Sequence, residues 1–293
     1  MSQIPTVPDL LKAGVHFGHK TSKRNPKMKP YIFGSKNEVS IIDLQKTSEH
    51  LEQALIFAKN IARQGGTIIF VGTKRQAQEI IKKHALACGM PYVHTRWIGG
   101  TITNYAIISK MIKNYLKMKE KTEAGEYKKY TKKEQLELSR KIEELEGLIG
   151  GIQTLTKLPD ALYIIDPRKE ETPFREALKR NIPVIALCDT NTNPENITYP
   201  IPANDDAIKS IDIITGALAD AIREGKAERV KDQATAQAVK AVAAPTSITE
   251  IPASPEVAPD TQKAPISPEP KAGVVEEEVE ELPANLRPES EDE

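Results

Sequence analysis

The chain has 293 residues with 41 basic and 41 acidic side chains, and this balance hides a segregation of charge. Residues 231–293 carry 5 basic and 14 acidic side chains, so residues 1–230 carry a net charge of +9. A basic body favours a polyanionic partner. No apolar run approaches the roughly 18 residues that a bilayer span needs, which excludes an integral membrane protein and argues against a membrane partner.

The two cysteines stand alone in the sequence, without a CxxC pair. This excludes a disulfide framework and a cysteine-rich zinc site, and it fits the reducing cytoplasm. The first ten residues have neither a basic start nor an apolar stretch, so no secretory signal is expected.

The first 36 residues hold seven basic side chains against a single acid, and they have no helical or strand period over residues 18–34. The sequence therefore predicts an extended basic arm over residues 1–36. Tyr31 and Phe33 are interleaved with the cations, a pattern typical of nucleic-acid binding. The alternative is a solvated surface without a partner. The predicted phosphate contacts in this arm are Lys20, Lys23, Arg24, Lys27 and Lys29.

His16 and His19 are three residues apart in the motif GVHFGHK. Two imidazoles at this spacing could share a metal ion, but no further ligand lies nearby in the sequence, and the glycines favour a loop. The prediction is no metal, with stacking or hydrogen bonding as the role of the histidines.

Short runs rich in Ile and Val then alternate with helical patterns. Because the runs barely alternate with polar residues, they are typical of strands buried on both faces. The pattern predicts an α/β fold with a Rossmann-like, doubly wound parallel sheet, formed by residues 37–104 and 151–229. Thr47 or Ser48 is expected to cap the first helix, and Gly225 to end the last one. The predicted strands are Val39–Asp43, Thr67–Gly72, Pro91–Thr95, Ala161–Asp166 and Ile182–Asp189.

The turn Gly72-Thr73-Lys74 follows a buried strand and opens a helix, where backbone N–H groups can hold phosphate. Neither GxxxxGK[ST] nor GxGxxG is present, which favours a plain turn and no nucleotide cofactor. No nucleophile constellation stands out, so the chain is not expected to be an enzyme or to bind a small-molecule substrate. Turn and cap roles are the default for the acids near strand ends, which are Asp166, Asp189, Asp205 and Asp206.

The segment Arg96–Asn104 (RWIGGTITN) contains the only tryptophan of the chain. Arginine and tryptophan can pair with a phosphate and stack on an unpaired base, and glycine lets the backbone approach a ribose-phosphate chain. The alternative is a tryptophan that caps the core in a tight turn. The candidate RNA-binding residues here are Arg96, Trp97, Thr101 and Asn104.

Residues 105–150 interrupt the α/β pattern with two stretches whose apolar residues repeat every 3.5 positions. They predict an inserted antiparallel coiled-coil hairpin with a basic first helix, in which Lys110 is a further candidate RNA contact. A hairpin that projects from the sheet favours a contact surface; alternatively it packs back on the sheet as an extra layer.

The last segment, residues 230–293, is rich in proline and acidic residues and contains no aromatic residue. Such a composition cannot bury enough apolar surface to offset the entropy of ordering, so it predicts a disordered acidic tail.

Five segments of the chain carry a resemblance to a known family: GVHFGHK, NPKMKPYIFG, RWIGGTITN, Pro159–Pro183 and Asp189–Ile211. Together they resemble the bacterial small-subunit ribosomal protein S2 family. The resemblance implies a Rossmann-like domain with a protruding coiled-coil hairpin that binds small-subunit ribosomal RNA near the junction of head and body. It also implies contacts with other small-subunit proteins, help in recruiting ribosomal protein S1, a cytoplasmic ribosomal location, and no catalytic activity or cofactor.

Two other classes compete with this interpretation. A nucleotide-binding α/β enzyme would need a glycine fingerprint and a ribose-binding acid, and neither is found in the right relation. A free-standing interaction scaffold would explain the hairpin and the tail but would leave the basic arm without a role.

Overall fold

The computed structural model describes residues 4–242. A five-stranded parallel sheet lies at its centre, in the order β5-β4-β6-β7-β8, and a smaller antiparallel sheet has the order β1-β3-β2. The strands are β1 (Phe17–Lys20), β2 (Ile32–Lys36), β3 (Val39–Ile42), β4 (Ile68–Val71), β5 (Tyr92–Val93), β6 (Ala161–Ile165), β7 (Val184–Cys188) and β8 (Tyr199–Pro202). The helices are α1 (Val7–Lys12), α2 (Leu44–Gln64), α3 (Gln78–Cys88), α4 (Tyr105–Glu123), α5 (Lys132–Ile149), α6 (Glu171–Lys179) and α7 (Ile208–Val242).

The parallel sheet is buried on both faces, which confirms the mixed α/β fold. Along β4, Ile68 and Phe70 join one hydrophobic cluster, while Ile69 and Val71 join the other. The first cluster contains the apolar faces of α2, α3 and α7. Because successive side chains of a strand point to opposite faces, an unbroken apolar run is what two covered faces require.

Two strand predictions are corrected by the structure. Val39–Ile42 pairs antiparallel with β1 and β2, outside the parallel sheet, and its residues alternate between half-buried and buried. The turn before it holds Asn37 and Glu38 at positive φ, which suits a tight hairpin. The fifth parallel strand, β8, escaped prediction because Pro200 and Pro202 interrupt it; proline fits at this position because β8 is an edge strand.

The N-terminal segment is folded and is not the extended arm that the sequence predicted. It forms β1, β2 and two short 3-10 helices, Thr21–Lys23 and Pro26–Tyr31. Met28 is fully buried in the second hydrophobic cluster, and the Asn25 N–H donates to the Thr190 carbonyl over 2.8 Å. Burial of one methionine between lysines thus anchors an otherwise polar segment.

The cap of α2 is Asp43, whose carboxylate accepts a hydrogen bond from the Gln45 N–H at 3.0 Å. The predicted cap, Thr47, lies inside the helix, where its buried hydroxyl donates to the Pro202 carbonyl over 2.6 Å. The predicted apolar face of this helix is confirmed, since Leu51, Leu55, Ala58 and Ala62 are all buried.

The last helix continues through Gly225 to Val242 and does not end where predicted. Gly225 is the point of close approach to α2: a Cβ there would lie 2.3 Å from the Lys59 carbonyl oxygen. Beyond it the sequence is rich in Ala, Lys, Glu and Gln, which propagate a helix well. The first residues assigned to the tail, 230–242, are therefore helical, and the remainder of the predicted disordered tail lies outside the described residues.

The two helices of the insertion are present, joined by a 3-10 turn at Glu126–Lys129; we call α4, this turn and α5 the helical hairpin. Tyr115 of α4 and Ile149 of α5 are fully buried in the second hydrophobic cluster. Their supercoiling into a coiled coil stays a prediction. Within residues 4–242, none of the helices combines the length and the apolar character needed to span a membrane.

Candidate nucleic-acid interface

The five cations predicted in the N-terminal segment are all exposed. The backbone fold brings them to the surface because Met28 between them points into the core. Lys27 pairs with the carboxylate of Glu195. Within the described part of the chain the other four, Lys20, Lys23, Arg24 and Lys29, form no ion pair and are available to an anionic partner.

Trp97 and Thr101 are core residues of the Arg96–Asn104 loop. Trp97 is 7% exposed, and its indole N–H donates to Oε1 of Glu176 over 3.0 Å. Thr101 is 1% exposed, and its hydroxyl donates to the Ile98 carbonyl over 2.6 Å. A buried indole offers no ring face to a base, so the alternative interpretation, a tryptophan that caps the core, describes this structure.

Glu176 of α6 organises this loop, although no sequence motif pointed to this residue. Besides the indole of Trp97, the N–H groups of Gly100, Ile102 and Thr103 donate to its carboxylate at 2.8, 2.9 and 3.0 Å. Burial alone would raise the pKa of Glu176, but the hydrogen bonds from Trp97 and the loop backbone outweigh it and hold the pKa below its ordinary value. The carboxylate is therefore ionised and fixes the loop conformation.

The remaining predicted residues of this region, Arg96, Asn104 and Lys110, are exposed. Next to them Nη2 of Arg180 donates to the Thr103 carbonyl over 2.7 Å. Arg180 follows directly after α6 and is distant from the loop in the sequence. The fold therefore adds one cation to the loop surface.

His19 lies among acids at the carboxyl ends of the parallel strands. Its Nδ1 is 2.8 Å from the carboxylate of Asp189, and its Nε2 is 3.6 Å from that of Asp206. The carboxylate of Asp189, which contacts Nδ1, raises the pKa of His19, and burial opposes this shift without cancelling it.

Asp205 is completely buried in the same cluster. Its Oδ1 accepts a hydrogen bond from the ammonium of Lys74 at 2.8 Å, and its Oδ2 has no hydrogen-bond partner. Burial, followed by the nearby charges of Asp166 and Asp189, raises the pKa of Asp205 to about 7.

Four of these side chains could together hold a cation. One ligand atom from each of His19, Asp189, Asp205 and Asp206 lies within 4.8 Å of the others. Imidazole nitrogen and carboxylate oxygen are donors that suit Zn²⁺. No further ligand lies near His19 in the sequence, but the fold brings three acids to it, because the ends of the parallel strands converge there. In the present arrangement Lys74 supplies the positive charge.

Carboxylates also occupy the turn after β4, where a nucleotide phosphate would bind. The N–H and hydroxyl of Thr73 donate to Oε1 of Glu170 at 2.8 and 2.5 Å. Lys74 contacts Asp205 and Asp206 at 2.8 and 2.6 Å. The groups that would bind a phosphate are thus already engaged with carboxylates, which supports the prediction of no nucleotide cofactor.

Comparison with known proteins gives concordant results. Residues 10–225 match the model of the family described as Ribosomal protein S2. The chain is 51% identical over 223 residues to the Small ribosomal subunit protein uS2 of Dictyoglomus thermophilum, an alignment that covers 76% of this chain and 91% of that protein. The matched region spans the parallel sheet, the helical hairpin and the basic N-terminal segment. The chain therefore belongs to the ribosomal protein S2 family, whose members are structural components of the ribosome and not enzymes.

Proposed function

We propose that this chain is a structural constituent of the small ribosomal subunit, works on the cytoplasmic ribosome, and binds small-subunit ribosomal RNA near the junction of head and body. The observation that carries the proposal is the 51% identity over 223 residues to a small-subunit protein. The net charge of +9 on residues 1–230 supports an RNA partner, because cations that neutralise phosphates supply most of the affinity for RNA.

The RNA contacts in this proposal come from two exposed surfaces. One is the N-terminal segment, with its five predicted cations as phosphate contacts of little sequence preference. The other surrounds the loop that Glu176 organises, with Arg96, Asn104 and Lys110 at the surface and Arg180 beside them. Trp97 and Thr101 act from within the fold by holding the loop in shape.

The salt dependence of RNA binding tests the first surface. Replacing Lys20, Lys23, Arg24, Lys27 and Lys29 with Gln should weaken binding to purified small-subunit ribosomal RNA. It should also flatten the log–log salt dependence by roughly one unit for each lost phosphate contact. The matched control replaces one arginine and four lysines that are exposed outside this segment: Arg75, Lys82, Lys83, Lys157 and Lys209. Equal slopes for the two variants would remove the N-terminal segment from the interface.

Support of translation and recruitment of ribosomal protein S1 form the finer part of the proposal. Small subunits purified without this chain should contain less S1 and should translate natural messages poorly, and adding the chain back should restore both. Normal S1 content in depleted subunits would contradict the recruitment role while leaving RNA binding intact.

The nucleotide-binding enzyme remains the competing function, and it has a direct test. The full chain should show no saturable binding of ATP, NAD or FMN at micromolar concentration, because Glu170, Asp205 and Asp206 occupy the donors of the turn. Saturable binding would overturn this expectation.

A further inference from the structure

The turn of the helical hairpin carries a second basic and aromatic sequence. Residues 127–133 (YKKYTKK) contain two tyrosines and four lysines and no acid. This composition is the one that binds nucleic acid through phosphate neutralisation and base stacking. It lies at the far end of α4 from the globular domain, next to the first turn of α5.

Tyr130 is held in place at this turn with its ring accessible. It is 43% exposed, and the ring of Tyr127 meets it edge-on with centroids 5.8 Å apart. Its carbonyl accepts a hydrogen bond from the Gln135 side chain at 2.8 Å. The next residue, Thr131, caps α5 in a capping box with Glu134. A preorganised aromatic ring loses little entropy when a base stacks on it.

A groove of about 340 Å³ lies beside this ring. Its volume is in the range of small-ligand sites. Within the described chain, the carboxylate of Glu137 has no hydrogen bond or ion pair, so it is free to accept hydrogen bonds from a ligand. The lining residues are Tyr130, Glu134, Glu137, Leu138 and Lys141.

We propose that this groove binds one unpaired nucleotide of an RNA loop, an inference that rests on the RNA-binding function proposed above. The base stacks on Tyr130, and its exocyclic amino group donates to Glu137. Lys129, Lys132 and Lys141 neutralise the phosphates on either side, aided by the positive end of the helix dipole of α5. Because a carboxylate only accepts hydrogen bonds, the groove favours the bases with an exocyclic amino group, which are cytosine, adenine and guanine, over uracil.

The mixture of charges favours a nucleotide over a protein partner. Glu134 and Glu137 in the groove would repel an acidic protein surface, and the lysines around the groove would repel a basic one. A nucleotide satisfies both, since its base carries N–H donors and its phosphates carry the negative charge. An aromatic ring between the two is the feature that single-stranded RNA recognition uses.

Affinity for purified small-subunit ribosomal RNA tests the stacking part in the full chain. Tyr130→Ala should weaken binding about tenfold, as expected for one stacked base, and Tyr130→Phe should keep the affinity because it keeps the ring. Leu136→Ala is the matched control, since Leu136 is 52% exposed on the same turn of α5 but does not line the groove. All variants should unfold at the wild-type temperature.

Base selectivity tests the hydrogen-bonding part. Poly(C) should displace the ribosomal RNA from the wild-type protein more effectively than poly(U), and Glu137→Gln should narrow that difference because an amide can also donate to uracil. Wild-type affinity in Tyr130→Ala would overturn the inference about the groove. Equal displacement by the two homopolymers, or an equal loss in Leu136→Ala, would likewise overturn it. The proposed RNA-binding function would still stand if the variant with five Gln substitutions in the N-terminal segment bound the RNA weakly.

Discussion

The carboxylate of Glu176 shows how one side chain can determine the shape of a candidate binding loop. Oε1 accepts hydrogen bonds from the Trp97 indole and the Gly100 N–H, and Oε2 accepts from the N–H groups of Ile102 and Thr103. No neutral side chain of the same shape can replace it, because an amide has only one accepting atom.

Glu176→Gln is therefore expected to destabilise the protein by about 2 kcal/mol, since one buried and one half-buried N–H group lose their acceptor. The free energy of unfolding in urea measures the loss, and the fluorescence of the single tryptophan, Trp97, should report the change around the indole. Glu171→Gln on the same helix is the control: Glu171 is exposed, and among the residues that the structure describes it pairs only with Arg175, so its loss should cost little. Equal losses in the two variants would contradict the role assigned to Glu176.

The buried Asp205 makes stability depend on pH. Burial, Asp166 and Asp189 raise its pKa from 3.8 to about 7, so over that range the folded state binds more protons than the unfolded state. The contribution of Asp205 to the free energy of unfolding should therefore fall as pH rises from about 4 to about 7. Asp205→Asn should remove most of this fall, measured by urea unfolding at a series of pH values.

His19 adds a smaller dependence of the same sign. Its pKa is raised above 6.5, so the stability that its charged form contributes is complete below 6.5 and is lost as pH rises through the higher value. The Asp205→Asn variant should keep this second fall and the double variant with His19→Gln should lose it. The measure is the difference in stability between the wild type and each variant, because burial lowers the pKa values of His16, His50 and His94 and gives the wild type an opposing dependence. A difference between the wild type and Asp205→Asn that did not fall from pH 4 to pH 7 would contradict the assignment to Asp205, and an unchanged difference on adding His19→Gln would contradict that to His19.

At the scale of elements, the packing of α2 on α7 depends on a glycine. The two helices run side by side, tied by Lys59 to Glu228 at 2.7 Å and by Arg63 to Asp232 at 2.9 Å. Gly225 lies where they approach most closely, and a methyl group there would overlap the Lys59 carbonyl.

Gly225→Ala is expected to lower the free energy of unfolding by about 2 kcal/mol, because the helices must separate to admit the methyl group. Gly147→Ala in α5 is the matched control: a Cβ there meets nothing within 4 Å, so the better helix former should raise stability by about 0.5–1 kcal/mol. Thermal or urea unfolding would check that Gly225→Ala lowers the stability of the protein and that Gly147→Ala raises it.

Patterns of apolar residues in the sequence predicted the strands and helices well wherever burial of those residues determines the structure. The uninterrupted apolar runs located β4, β6 and β7, and the apolar face of α2 fixed its orientation. Prediction failed where a distant contact decides the outcome: Gly225 has the sequence appearance of a helix stop and serves as a point of helix contact. The candidate site is the extreme case, because Glu176 is 79 residues from Trp97 and Asp189 is 170 residues from His19.

At the scale of the whole molecule, the segregated charge makes a prediction about the tail. Residues 243–293 have a net charge of −10, which should repel RNA phosphates over the screening length of about 8 Å at physiological salt. A chain truncated after Val242 should fold as the full chain does and bind small-subunit ribosomal RNA with equal or higher affinity. Circular dichroism and RNA titration at two salt concentrations measure both properties.

The position of the cut provides the control for this experiment. Truncation after Arg229, where the sequence pattern placed the start of the tail, removes Asp232 and its ion pair with Arg63. It also removes the last turns of α7, so this shorter chain should be less stable. Loss of RNA affinity in the chain that ends at Val242 would show that the acidic segment belongs to the interface.

The helical hairpin also has a mechanical consequence. Its first helix has 19 residues, which makes it about 28 Å long, and its starting residue follows directly after the loop that Glu176 organises. A tilt of about 10° at the start of α4 would displace its far end by about 5 Å. Such a displacement exceeds the length of any hydrogen bond that the tip could make. The hydrogen bonds of the loop resist this tilt together with Ile108, Ile112 and Tyr115 of α4, which are buried in the second hydrophobic cluster. The orientation of the hairpin is therefore set inside the globular domain, by the hydrogen bonds that Glu176 accepts and by the buried side chains of α4.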